Sequence, residues 1–205
     1  MANQYIRRYS LVKKIGFICE GKSDRLILES TLFSKLLSKL NLQSVLVKNV
    51  EGNGNLLPDF MDEHLSQMKD YKAEFVLILT DLDEDQCITK TKERINPHSY
   101  LSKFVFIVLS VKSIESWFLA DSETMSSIFR KNFHFPLPEK TEGKPFDIIK
   151  AALKNNMENS RGVGSKSILA SLMLKHGFSI ENASRHPNCP SATYFLSKLQ
   201  EISSS

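Results

Sequence analysis

The chain has 205 residues, 41% of them hydrophobic and 24% charged, with a formal net charge of +4. That is the mix of a soluble globular protein, and the length suits one ordinary domain, or one with a small appendage, whose core needs no disulfide staples. Cys19, Cys87 and Cys189 are scattered, with no C-x-x-C pair, which excludes a thiolate zinc module and points to a reducing compartment.

From the start, "MANQYIRRYSLVKK" carries basic residues with no apolar run behind them. The apolar run "FVFIVL" at 104–109 is too short to span a bilayer. The expectation is a cytoplasmic protein with no membrane contact. "KKIGFICEG" (13–21) reads as a strand apolar on both faces, as parallel strands covered by helices are. The segment 23–42 has apolar residues at helical spacing, with Ser23 as its cap. "QSVLVKNV" (43–50) is a second strand, "EGNGN" a turn, and "LLPDFMDEHLSQMKDY" a helix. "AEFVLILTD" (73–81) and "KFVFIVLSV" (103–111) are further strands, and "SIESWFLAD" (113–121) a helix whose Trp117 and Phe118 fill the core. Helical patterns follow at 146–157, at 166–176 and in "ATYFLSKLQEI". The alternation predicts an α/β fold, a Rossmann-like, mostly parallel sheet flanked by helices with a helical C-terminal region. The expected division is an α/β core over 1–121 and a helical extension over 122–205.

"GFICEGKS" (16–23) fits the P-loop pattern, with Lys22 on phosphates and "LILTD" as the distal acid strand. Its context argues against that reading. Phe17, Ile18 and Cys19 look like strand, which buries Gly16 inside a strand rather than opening a loop.

The acids make a second pattern. Ligands of a parallel α/β sheet bind outside the carboxyl ends of its strands. Glu20 ends the first strand, Asp81 the third, with Asp83 two residues on, and Glu115 follows the fourth. Converging carboxylates need a raised pKa or a cation. Hard oxygen donors without His or Cys suit Mg²⁺ or Mn²⁺, whose open positions accept phosphate oxygens. Taken singly, each acid has a plainer reading as a solvated turn, a surface pair or a helix-start acid. The chemistry of the joint reading is phosphodiester transfer, with Glu20, Asp81 and Asp83 catalytic and Asp85 a further metal ligand. Lys22 is a phosphate contact. Gly52 and Gly54 in "EGNGN" offer backbone N–H groups to an anion or make a plain turn. "SRGVGSKS" (160–167) offers Lys166 and a helix start to a phosphate, or a simple Ser165 cap.

Glu-Gly ending the first strand and Asp-x-Asp ending a later one resemble the Toprim fold of topoisomerases, primases and OLD-type nucleases. By that resemblance Glu20 is a general acid/base or metal ligand, and Asp81 and Asp83 bind Mg²⁺. "CEGKSD", "SIESWFLAD" and "LMLKHGFSIENASRHPNCPSATYFLSKL" resemble the small stand-alone bacterial Toprim-like proteins of the domain-of-unknown-function 4276 family. Glu115, Trp117 and Asp121 match that family's central signature by position. Lys-Ser-Asp follows the first motif where relatives carry Pro-Thr-Glu, so Asp24 stands for the second acid. With no marked covalent nucleophile, the resemblance implies a metal-dependent nuclease that uses water. It further implies a nucleic-acid partner, a role in phage defence and an ATPase or other protein partner. The alternatives are a metal-, nucleotide- or nucleic-acid-binding module without catalysis, and a P-loop hydrolase that depends on Lys22.

Overall fold

A computed structural model describes residues 12–83, 87–97, 101–156 and 163–205. Four parallel strands form one sheet: β1 (Lys13–Cys19), β2 (Leu42–Asn49), β3 (Phe75–Asp81) and β4 (Val105–Ser110), in the order β2-β1-β3-β4. The fold class is therefore α/β, with helices flanking the sheet and a helical C-terminal region.

Burial on both faces explains the unbroken apolar runs. Phe17, Cys19, Leu77 and Leu79 point into the larger core, beneath α1 (Lys22–Leu28), α2 (Thr31–Lys39) and the helices that follow β4. Ile18, Val76 and Ile78 point the other way, against α3 (Pro58–Asp70) and α4 (Ile88–Ile95). After β4 come α5 (Glu115–Ala120), α6 (Ser122–Phe129), α7 (Pro145–Asn156), α8 (Lys166–Lys175), α9 (Ile180–Ser184) and α10 (Pro190–Ser204).

Trp117 and Phe118 are fully buried, and Phe195 of α10 lies with its ring 5.4 Å from Trp117 and 6.0 Å from Phe33. Such a ring cluster gives the large core its main apolar area. The Trp117 indole N–H donates to Ser191 Oγ at 2.7 Å, and Ser191 donates in turn to Glu139. Asp121 is wholly buried and accepts from Thr124, Ser179 and Asn182, so it caps α6 and pins the start of α9. Among the described residues no helix is long and apolar enough to cross a membrane.

The expected single helix over 23–42 is two. Ser30 adopts an extended backbone and its Oγ accepts from the Phe33 N–H, starting α2 afresh. Ser23 is not the cap of the first helix. Gly21 stands there, and Asp24 in the first turn accepts the Gly21 N–H at 2.8 Å. Asp24 is thereby turned inward, only 4% exposed.

Gly16 lies within β1, paired to β2 on one side and β3 on the other. A Cβ there would come 2.4 Å from Met68 Sδ of α3. Glycine lets α3 press onto the sheet, and this is its role, not a phosphate loop. Gly16→Val is expected to lower unfolding free energy by roughly 1–3 kcal/mol, read by urea titration, because a packed methionine must move.

Candidate active site

β1 and β3 are neighbours, yet the chain leaves β1 toward β2 and leaves β3 toward β4. Their carboxyl ends thus flank the point where the winding reverses, which opens a crevice in such sheets. A cleft of about 550 Å³ lies there, lined by Glu20, Lys22, Asp24, Gly52, Asp81, Glu115 and Lys166 among others.

Asp81 is held by its neighbours. Its Oδ1 accepts Ser110 Oγ–H at 2.5 Å and the Ile114 N–H at 3.0 Å. Those two bonds tie the end of β3 to the end of β4 and to the start of α5. The next residue, Glu115, is carried to the same cleft. Glu20 Oε2 accepts from Thr80 Oγ1 at 2.6 Å and from the Asp81 N–H at 3.2 Å, which fixes it across the β1–β3 boundary.

Glu115 is 0% exposed and neither carboxylate oxygen has a hydrogen-bond donor. Its nearest charge is the Lys166 ammonium, 3.2 Å from Oε2; the contact is an ion pair without hydrogen-bond alignment. The same ammonium stands 3.9 Å from Asp81 Oδ2. Burial pushes the Asp24 carboxyl up to about 7; Glu115 and Glu20 add to the rise, while the Gly21 N–H and Lys166 oppose it. Burial likewise raises Asp81 well above the ordinary carboxylate range, with Asp24 and Glu115 adding to it and Ser110 and Lys166 opposing. Burial tends to lower the Lys166 ammonium pKa, but Glu115 and Asp81 outweigh it and the net shift is upward.

Four of the acids expected from the sequence, Glu20, Asp24, Asp81 and Glu115, thus line one cleft. Asp83 does not line it. It sits exposed at φ 49°, its N–H donating to the Lys112 carbonyl, and faces an adjoining hollow of about 370 Å³ with Lys112 and Lys144. The two hollows share Glu115 and Lys166 as a common wall. The turn after Asp81 therefore places the two acids of the Asp-x-Asp in the linings of two adjoining hollows, with Glu115 and Lys166 between them. Asp85 lies outside the described residues.

Lys22 is exposed at the cleft mouth. Gly52 lines the cleft, but its N–H donates to the Glu20 carbonyl at 3.0 Å, so it holds the strand end and is not open to an anion. Gly54 lies in a 3-10 turn (Asn53–Leu56) outside the cleft lining. Ser165 caps α8 by accepting the Ile168 N–H. Lys166 is directed at the acids rather than left free for phosphate. The residues that sequence reading passed over are Thr80 and Ser110, strand-end hydroxyls that orient the carboxylates. Polar residues closing apolar strands were their only signal.

The donors are all hard oxygens, and Glu115 offers a buried Oε1 without a partner beside an Oε2 paired only with the Lys166 ammonium, which fits Mg²⁺ or Mn²⁺ in chemistry. Among the described residues, no group of three or more His, Cys, Asp or Glu side chains is gathered tightly enough to hold a metal ion as it stands. The P-loop geometry is not present: the segment from Gly16 to Cys19 is paired strand where that motif needs a loop. No protein-family model, curated protein or solved structure matches the chain.

Proposed function

We propose that this protein is a divalent-metal-dependent phosphodiesterase acting on nucleic acid. The observation that carries the reading is Glu115, a wholly buried carboxylate whose Oε1 has no partner and whose Oε2 meets only the Lys166 ammonium among the described residues, set beside Asp81 at the sheet's switch point. Such a group is costly unless a cation meets it. The Toprim resemblance of Glu20 and Asp81 supports the same reading.

Asp81 and Glu115 would hold Mg²⁺ or Mn²⁺, with Glu20 alongside. When bound, the metal supplies charge neutralisation on a phosphate and an acidified water. Glu20, oriented by Thr80, accepts a proton from the attacking water. Asp24, whose carboxyl burial holds above the ordinary range, would return one to the leaving oxygen as the P–O bond breaks. Lys22 at the mouth draws in the phosphate backbone. A partner protein, an ATPase included, remains part of this proposal through the resemblance alone.

A binding module without catalysis is the second reading. One observation favours it: Lys166 already pairs with Glu115 at 3.2 Å and reaches toward Asp81 at 3.9 Å without any metal. Labelled DNA and RNA, single- and double-stranded, incubated with Mg²⁺, with Mn²⁺ and with EDTA separate the two. Cutting that needs metal supports the phosphodiesterase. Metal binding with no cutting of any substrate favours the module.

A further inference from the structure

We propose that Lys166 is a built-in counter-ion that holds the metal position in the free protein and must be displaced for a divalent cation to enter. The inference rests on the metal reading above and adds how that site is guarded.

A carboxylate such as Glu115, with no exposure and no hydrogen-bond donor, is stable as an anion only beside a cation. The Lys166 ammonium is that cation, reaching both Glu115 Oε2 and Asp81 Oδ2. These are the oxygens that suit a metal. An ammonium and a divalent ion cannot share them at contact distance, because like charges repel most strongly where water is scarce.

Three features make Lys166 able to leave. Its side chain is 49% exposed, so the stem is not packed in place. An ammonium needs no fixed hydrogen-bond direction, and its four-carbon stem is flexible. Lys166 is also the first residue of α8, where the helix dipole disfavours positive charge. Among the described residues, the ion pairs that draw it inward are those to Glu115 and Asp81. Once these acids are occupied, the half-exposed ammonium swings outward toward Asp83 at the rim of the neighbouring hollow, whose Lys112 and Lys144 keep it from entering further. There it meets Asp83 or a substrate phosphate.

The consequence is competition. Metal affinity is weaker than the carboxylates alone would give, and metal entry frees an amine. Mn²⁺ binding to the whole chain, followed by electron paramagnetic resonance, is compared between wild type and Lys166→Met. The variant is expected to bind roughly tenfold or more tightly, in the range of ordinary site coupling. Binding by the variant alone also supports the exchange. Equal or weaker binding by the variant overturns it and leaves the metal reading standing. No binding by either protein overturns both. The wild type gives a second measure that needs no variant: acylation of Lys166 by an amine reagent, read by mass spectrometry with and without Mn²⁺. Faster acylation with Mn²⁺ is expected, and an unchanged or slower rate overturns the displacement.

Discussion

Asp81→Asn is expected to lower metal-dependent cleavage by about a thousandfold or more, the scale on which removing a central charge stabiliser acts. Asparagine keeps the shape. Its Oδ1 still accepts from Ser110 and from the Ile114 N–H, so the ends of β3 and β4 and the start of α5 stay in place. What is lost is the negative charge that a metal needs. Stability should move the other way. Burial raises the Asp81 pKa, so ionising this carboxyl costs the folded state, and the amide has no charge to bury. The variant is therefore expected to melt at or above the wild-type temperature without metal while its turnover collapses. A variant that keeps full activity would remove Asp81 from the chemistry. One that loses activity and melts many degrees lower would make the effect structural.

The second large effect is on stability against pH. Asp24 rises from an ordinary 3.8 to about 7 because it is buried near Glu115 and Glu20. The folded state then binds this proton more tightly than the unfolded chain does. Its contribution is fully present below about pH 4 and is lost as pH rises through about 7. A shift of that size corresponds to about 4 kcal/mol across the interval, shared with Asp81 because the two acids are coupled. Without metal, wild type should lose stability between pH 5 and pH 8 relative to Asp24→Asn, which keeps an acceptor for the Gly21 N–H but has no proton to lose. Saturating Mg²⁺ should stabilise the wild type more at pH 8 than at pH 5, since a cation favours the ionised acids. Parallel melting curves for the two proteins at all pH values, with and without Mg²⁺, would show that the cluster does not control stability.

The strands were readable because their burial leaves a plain mark: apolar runs in β1, β3 and β4 and a weaker one, interrupted by polar residues, in β2, each overlapping its strand to within two residues at either end. The helices were less so. α4, "ITKTKERI", turns only Thr91 and Ile95 fully inward, so it carries no apolar stripe and passes for a solvated stretch. α6 follows α5 with Asp121 as the hinge between them, and nothing in the apolar spacing marks that break. In the site, Glu20, Asp81 and Glu115 were legible because strand ends fix which edge of the sheet an acid reaches. Asp83 was not, since its left-handed backbone sends it to the adjoining hollow and asparagine, aspartate and glycine all tolerate that conformation. The pairing of Lys166 with Glu115 joins two elements far apart in the chain, and no local pattern encodes such a contact.

Ser191 sits well away from the carboxylates, yet it sets where one of them stands. It grips the Trp117 indole, two residues past Glu115 on a six-residue helix too short to hold a course of its own. It is itself anchored by Glu139 through two bonds and also accepts the Val111 N–H at the end of β4. The C-terminal helix thus acts as a remote set-screw on the cleft. Drift of sequence along α10 would retune the acid at the centre of the site without touching any residue that lines it.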